Sequence, residues 1–324
     1  MNTEGRLRVA IQMDPLEDVN VDGDTTFALA EAAQERGHSL WVYGPKDLTY
    51  DYGRVLARAR PTTVQRVAGT PGIFGDEALL DLAADVDVVL VRQDPPFDMG
   101  YITTCHILEL VAHQTLVLNN PASVRSNPEK LFPLLYPDIT PPTLISRDLA
   151  AIDAFRAIHQ DIILKPLYSY GGKGVFRIRP GDPNLSALTE MLLAGSPEPV
   201  IAQAFLPAIA EGDKRIILID GDVVGGFNRI PQGDDTRSNM RVGGAPVPID
   251  LSDTDQAICD RIGPDLKRLG QMLVGLDVIG DKLTEVNVTS PTGIQVLKRF
   301  TGIDAAALFW DAVDRKRRER AQDR

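Results

Sequence analysis

The sequence is short of the residues that build covalent frameworks. It has two cysteines, Cys105 and Cys259, in 324 residues, too few for a disulfide framework or a cysteine metal cage. Long apolar runs are missing: none approaches the roughly 18 residues that a membrane span requires. The opening "MNTEGRLRVAIQM" carries no long apolar core of the signal-peptide kind. These absences lead us to expect a cytoplasmic chain in a reducing compartment, with no membrane partner. Positive charge is in deficit. Against 45 acidic residues stand 34 Lys and Arg, a formal net charge of −11, which disfavours nucleic acid as a partner. Histidine is scarce, and the four at 38, 106, 113 and 159 show no ligand spacing. We read them as structural. No Ser/His/Asp or Cys/His arrangement and no P-loop pattern is found. The one basic cluster, "DRKRRERAQDR" at residues 314–324, reads as the solvated end of a helix, the other reading being an anionic partner.

What is present fits a soluble globular protein. Apolar residues make up 44% and charged residues 24%, and the length allows two or three domains at about 100–200 residues each. "LRVAIQM", "HSLWVY", "VDVVLV" and "TLVLNN" read as strands. "DTTFALAEAAQERG" reads as a helix capped by Asp24 or Thr25 and stopped by Gly37, and an amphipathic stretch lies near 101–113. This alternation predicts a parallel α/β unit running to about residue 122. Residues 45–80 carry no recognisable motif. The proline-rich stretch from Pro128 to Pro142 marks a boundary. Beyond it "DIILKP", "YSYGGKGVFRI" and "PVIAQAF" supply short strands. Asp220-Gly221 and Gly280-Asp281-Lys282 then signal two antiparallel hairpins. Helices are expected near 253–269 and 304–320. The fold class is therefore α/β, turning α+β in the C-terminal part.

Chemistry concentrates in the second half. In "DKLTEVNVTSPTG" an acid and an amide sit two residues apart within a buried strand. A three-residue turn at 280–282 sets Asp277 opposite Glu285, and strand alternation puts Asn287 on the same face. Unneutralised, two carboxylates at about 4 Å repel by about 4 kcal/mol. The residues leave two readings: a hydrogen-bonded strand face, or a site for a hard cation, Mg²⁺ or Mn²⁺. Lys130 in "NPEKLF" and Lys165 at the end of "DIILK" are placed to meet phosphate. Gly171, Gly172 and Gly174 allow close backbone approach to phosphate oxygens, or simply make a hairpin turn. Arg215, Arg229, Arg237 and Arg241 crowd a polar segment of the kind that forms a lid or a binding loop, the other reading being solvated loop arginines. Together these features point to a nucleotide-plus-magnesium site.

"NPEKLF", "DIILKP", "GDKRIILIDG", "RIPQG", "GLDVIGDKLTEVNVTSPTG" and "RQDPPFD" together resemble bacterial glutathione synthetase, an ATP-grasp ligase, over nearly the whole chain. "RQDPPFD" and "TEVNVTSPTG" are specific to that enzyme. The resemblance implies an N-terminal parallel α/β domain that binds substrate (1–122), followed by a two-part ATP-grasp module. Its central subdomain spans 123–206 and its C-terminal subdomain, with lid and metal site, 207–324. It implies ATP-dependent ligation of γ-glutamylcysteine to glycine through an acyl phosphate, on a homotetramer. By the same resemblance, Lys130, Lys165, Gly171 and Gly172 meet the ATP phosphates. Gln203, Ala204, Phe205 and Leu206 flank the adenine, and Asp213 reaches the ribose. Asp277, Glu285 and Asn287 hold two Mg²⁺ ions, or Mn²⁺. Arg92, Ser290 and Thr292 bind the dipeptide. Arg215 and Arg229 steady the transferred phosphoryl group, and 230–244 forms the lid. The glycine loop departs from relatives: "LYSYGGKG" stands where "LDGMGG" is frequent, placing Tyr168, Ser169 and Tyr170 there. In the lid, Arg241 stands where a small residue is frequent and Ala245 where an arginine can occur. Rival readings are another ATP-grasp carboxylate–amine ligase, such as a D-alanine–D-alanine or glutamate ligase, and a non-catalytic ATP-binding regulator.

Overall fold

The computed structural model describes residues 5–232, 238–240 and 243–322. The first sheet grows around the Val- and Ile-rich strand β1 (Arg8–Gln12). Helix α1 (Thr25–Glu35) follows, its first turn capped by Asp24, whose Oδ1 accepts from the Phe27 amide at 2.6 Å. Such a cap satisfies an amide that the helix itself leaves unpaired. Gly37, at φ 78°, turns the chain out of the helix, a conformation that glycine adopts without a Cβ penalty. β2 (Ser39–Tyr43) then returns alongside β1.

The stretch without motifs forms four strands: β3 (Leu48–Asp51), β4 (Arg54–Val64), β5 (Gly72–Phe74) and β6 (Ala78–Asp81). After it come β7 (Val88–Val91), helix α2 (Met99–Glu109), β8 (Leu116–Leu118) and helix α3 (Pro121–Ser126). Sheet order is β3-β4-β2-β1-β7-β8, with β5 and β6 also on β4. The expected parallel core is β2-β1-β7-β8. The β4 pairings with β2, β3, β5 and β6 are antiparallel and extend it on one side.

A second sheet is antiparallel throughout, in the order β11-β10-β12-β9. It comprises β9 (Thr143–Ser146), β10 (Ile162–Pro166), β11 (Phe176–Ile178) and β12 (Val200–Ala204), backed by α4 (Leu149–His159) and α5 (Leu185–Ala194). Its core includes Ile152, Ile162, Leu164 and Val200, and draws on no other part of the described chain.

The third sheet runs β15-β14-β13-β16-β17, again antiparallel. Its strands are β13 (Asp213–Ile219), β14 (Asp222–Ile230), β15 (Ala245–Pro248), β16 (Leu273–Ile279) and β17 (Lys282–Asn287). Helices α6 (Asp253–Arg268), α7 (Ile294–Thr301) and α8 (Ala305–Gln322) complete it. The β13–β14 hairpin turns on Asp220 and Gly221, at φ 52° and 84°, as the Asp-Gly pair predicts. A Cβ on Gly221 would stand 2.5 Å from the Gly263 carbonyl of α6, so the turn packs only as glycine.

The first and third units share two cores. In one, Phe309, Trp310 and Val313 of α8 pack with Phe27 and Leu29 of α1 and with β1. Trp310 Nε1 donates to the Leu29 carbonyl at 2.8 Å. In the other, Tyr101 and Cys105 of α2 meet Ile258 and Ile262 of α6 and Leu276 of β16. Asn119 joins the two sheets, accepting from Leu273 N (2.9 Å) and donating to the carbonyls of Leu273 (2.8 Å) and Val288 (3.0 Å). The basic end of α8 is not simply solvated, as the sequence led us to expect. Arg315 pairs with Asp220 at 3.2 Å and Arg317 with Asp87 at 3.4 Å, while Arg320 donates to the Ala112 and Thr115 carbonyls. The acidic and carbonyl groups it meets come from parts of the chain far away in sequence.

Candidate functional site

A cleft lies between the second and third sheets. Its floor is a row of charges set by strand register. Arg215 on β13 faces Asp277 on β16, and Asp277 faces Glu285 on β17. Two residues along, Asp213 faces Arg229 on β14. Residues two apart on a strand share a face, so three acids and two arginines lie on one surface. Asp277 is neutralised by Arg215 across the strand pair and by Arg229, whereas Glu285 has Lys130 nearby.

The distances are short. Asp277 Oδ1 accepts from Arg215 Nε at 2.6 Å and from Arg229 Nη2 at 3.0 Å, and its Oδ2 accepts from Arg215 Nη2 at 3.1 Å. Arg229 Nη2 also reaches Asp213 Oδ2 at 2.6 Å, to which Ser238 Oγ donates at 2.7 Å. Burial alone would push the Asp277 carboxyl up, but the two guanidiniums outweigh it and hold it down to about 2. Burial pushes Asp213 up, against the charge of Arg229. Gly275 makes room for this network, since a Cβ there would lie 3.0 Å from Arg215 Cδ.

The register arises differently from the sequence expectation. The turn has two residues, Gly280 and Asp281, not three, with Ile279 facing Lys282. A bulge between Asp277 and Val278 on β16 and the opposing β17 residues then inserts Thr284, whose Oγ1 donates to the Asp277 carbonyl at 3.0 Å. The extra residue restores the Asp277–Glu285 pairing.

The opposite wall is the glycine loop and β12. Gly171 and Gly172, at φ 65° and 78°, line the cleft with Lys130 and Lys165, both buried. Lys165 Nζ donates to Gln203 Oε1 at 3.2 Å. Lys130 Nζ contacts the Ser169 carbonyl and stands 3.6 Å from Glu285 Oε1. Burial pulls the Lys165 ammonium below its ordinary value, and the Glu285 carboxylate opposes that. Gln203, Ala204, Phe205 and Leu206 line the far end with Ile163, Val175 and Ile209. Arg177 stacks on Phe205 at 3.6 Å and is anchored by Asp161.

A second cavity adjoins the first, and Glu129, Tyr170, Gly171, Asn239 and Asn287 line both. It brings together Arg92, Ser290 and Thr292. Arg92 is buried, its Nε donating to Thr26 Oγ1 and its Nη2 to the Pro291 carbonyl, each at 3.0 Å. Ser290 Oγ donates to the Arg92 carbonyl at 3.1 Å, and Arg215 Nη1 to the Thr292 carbonyl at 3.1 Å. The loop after β17 is thereby tied to the end of β7.

Sequence reasoning missed Glu129. Its Oε1 accepts from the Val288 and Thr289 amides at 3.1 and 3.0 Å and from Thr289 Oγ1, fixing the exit of β17 beside both cavities. Burial pushes its carboxyl up. Nothing but its position beside Lys130 could have flagged it. Ser238 was passed over within the lid segment. Of that segment, Gly233, Asp234, Asp235, Thr236, Arg237, Arg241 and Val242 lie outside the described residues. None of the four histidines lines either cavity.

Could this floor hold a cation? Among the described residues no three His, Cys, Asp or Glu side chains gather as a cage. The donors are instead two facing carboxylates and an amide. Asn287 commits its Nδ2 to the Gly275 carbonyl at 2.9 Å, leaving its oxygen as the donor atom. Glu285, 24% exposed, faces the cleft. Such a set fits Mg²⁺ or Mn²⁺, which take one or two carboxylates and fill the remaining positions with phosphate and water oxygens.

Comparison with known proteins adds to this geometry. A family model described as the N-terminal domain of prokaryotic glutathione synthetase matches residues 7–125. A second, the ATP-grasp domain of prokaryotic glutathione synthetase, matches residues 129–302. The glutathione synthetase of Brucella melitensis is 52% identical over 311 residues, covering 96% of this chain and 99% of that protein. That of Mesorhizobium japonicum is 50% identical over 313 residues, covering 97% and 100%. Among solved structures, the D-cycloserine synthetase DcsG superposes with a TM-score of 0.66 at 17% identity, over 95% of this chain and 99% of that one. The RimK domain ATP-grasp protein of Sphaerobacter thermophilus gives 0.62 at 21% identity, over 94% and 98%. At these identities the structural likeness shows the fold alone.

Proposed function

The chain belongs to the prokaryotic glutathione synthetase family, an ATP-dependent ligase that makes glutathione, and from that premise we propose how this site performs the reaction. ATP lies in the cleft between the second and third sheets. Lys130, Lys165 and the amides of Gly171 and Gly172 hold its phosphates, and Gln203 to Leu206 face the adenine. Asp213 Oδ1, buried and without a hydrogen-bond partner among the described residues, suits a ribose hydroxyl. Asp277, Glu285 and Asn287 would hold Mg²⁺ or Mn²⁺, two ions, which when bound neutralise phosphate charge.

γ-Glutamylcysteine occupies the second cavity, its carboxylates gripped by Arg92 with Ser290 and Thr292. Its acceptor carboxylate attacks the γ-phosphorus of ATP, ADP leaves, and an acyl phosphate forms. The amine of glycine then attacks the acyl carbon, phosphate departs, and the nitrogen loses a proton. A carboxylate is a poor electrophile until it is phosphorylated. The protein's part is to position the reactants and offset charge on the phosphoryl oxygens. Arg215 and Arg229 flank the point where the two cavities meet, and their guanidiniums suit that charge.

The observation that carries this reading is that the two cavities adjoin, with Glu129, Tyr170, Gly171, Asn239 and Asn287 lining both. Release of ADP measured with γ-glutamylcysteine, with and without glycine, tests it. Glu285→Gln, which removes one charge with little change of shape, should abolish turnover while leaving the fold intact. Wild-type-like turnover of this variant in saturating Mg²⁺ would sink the assignment.

We keep three further points as proposals. The domain limits are 1–122, 123–206 and 207–324, the second junction lying between β12 and β13. The chain works in the cytoplasm. It assembles as a homotetramer, and the exposed Tyr50, Tyr52 and Leu79 on the antiparallel part of the first sheet offer apolar surface for copies to meet. Light scattering on the purified protein decides the last.

A further inference from the structure

Tyr168 stands just before the glycine loop, and the reaction scheme above gives it no task. Its place in the fold does. The loop belongs to the second sheet, whose core is separate from the other two. Tyr168 leaves that body and meets Phe97, with ring centroids 5.8 Å apart and planes inclined by 35°. Phe97 in turn packs on Tyr101 of α2 at 5.3 Å. A small cavity beneath the pair is lined by Pro95, Pro128, Leu167 and Thr289.

Phe97 lies five residues beyond Arg92 in "RQDPPFD", with Pro95 and Pro96 between them. Two prolines fix φ at successive positions, so a displacement at Arg92 passes to Phe97 with little slack. At the other end of the loop, Gly171 lines both large cavities and Gly172 the nucleotide cleft. Two short segments, 92–97 and 168–172, thus link the dipeptide arginine to the amides facing the phosphates through one aromatic contact.

We propose that Tyr168 is a positioning residue that couples the two substrates. Dipeptide held at Arg92 fixes the 92–97 segment, Phe97 seats Tyr168, and the glycine loop is set to receive the nucleotide. The coupling rests on the functional reading above. By reciprocity, nucleotide strengthens dipeptide binding by the same factor. An aromatic pair of this kind supports a factor of roughly twofold to tenfold.

Calorimetry with the Mg²⁺ complex of a non-hydrolysable ATP analogue, with and without saturating γ-glutamylcysteine, reads that factor directly. The full-length wild type should bind the analogue roughly twofold to tenfold more tightly when dipeptide is present. Tyr168→Ala should bring the ratio to about one, and Tyr168→Phe should keep it, since the ring and not the hydroxyl makes the contact. Phe97→Leu, on the other side of the contact, should lower the ratio without touching the loop, which serves if the alanine variant does not fold. A wild-type ratio of one, or an unchanged ratio in Tyr168→Ala or Phe97→Leu, overturns the coupling while leaving the ligase reading intact. Failure of the wild type to bind γ-glutamylcysteine at all removes both.

Discussion

Asp277→Asn isolates what the buried ion pairs of Asp277 contribute. The amide is nearly the shape of the carboxylate, but it accepts through one oxygen only. The carboxylate accepts three hydrogen bonds from two arginines, at 2.6, 3.0 and 3.1 Å. In the variant, Arg229 retains Asp213, whereas the buried Arg215 loses its carboxylate partner. Leaving a buried charge uncompensated costs about 3–5 kcal/mol, a large share of the roughly 5–15 kcal/mol that holds a domain folded. Urea unfolding followed by circular dichroism should show that loss as a lower midpoint with unchanged slope. Adding Arg215→Met removes the orphaned charge as well, so the double variant should be more stable than Asp277→Asn alone.

The pH dependence follows from the same atoms. Asp277 is held at about 2, against 3.8 for the free group, a difference worth about 2 kcal/mol. A carboxyl held down in the folded state contributes stability that is fully present above its unfolded value. That stability is lost as pH falls from about 4 toward 2. Asp213, pushed up by burial, acts in the opposite sense: its charge costs stability above its folded value and protonation relieves it. The wild type should therefore lose stability between about pH 4 and 2, and Asp277→Asn should lose less over that range. A variant within about 1 kcal/mol of wild type at pH 7, with an equal acid loss, would falsify the role given to these ion pairs.

Two other substitutions test the site and the frame behind it. Arg92→Ala removes a charge-assisted bond worth about 1.5–3 kcal/mol, so steady-state kinetics should show the KM for γ-glutamylcysteine rising roughly tenfold to a hundredfold, far more than the KM for ATP. Equal rises for both substrates, or none, take Arg92 out of the dipeptide cavity. Asn119→Ala strands the Leu273 amide and two carbonyls in the interior. At about 1–3 kcal/mol for an unsatisfied buried group, the urea midpoint should drop clearly, and a midpoint like that of wild type counts against the stitch between the sheets.

Much of this was legible in the chain. "VDVVLV" and "TLVLNN" show buried strands because a parallel sheet covered on both faces needs continuous apolar runs. Asp24 and Gly37 mark α1 because capping is a local matter. The Asp277–Glu285 pairing was also foreseen, although through a three-residue turn where the chain uses two residues and the Thr284 bulge. What stayed hidden was non-local. Residues 48–81 form antiparallel strands, three of them short and with many exposed or half-buried positions, so their apolar pattern is faint. Arg215 and Asp277 were noticed separately, yet only the β13–β16 register makes them partners. Glu129 looks like any loop acid until β17 arrives beside it. An amphipathic helix announces that a face is buried but not against what, and α8 gave no sign that it serves the first sheet.

That last arrangement bears on how the polypeptide acquires its shape during synthesis. Domains generally fold in order as they leave the ribosome. Here the Leu29 carbonyl waits for the indole of Trp310, 281 residues downstream. Until the final helix emerges, Phe27, Leu29 and β1 lack the aromatic side chains that cover them, whereas the second sheet can close from its own residues. The middle of the chain can therefore mature first, and the beginning is completed by the end. Closing so long a loop carries an entropic cost and slows folding. An isolated N-terminal fragment should consequently be sticky and poorly soluble, however well its own strands pair.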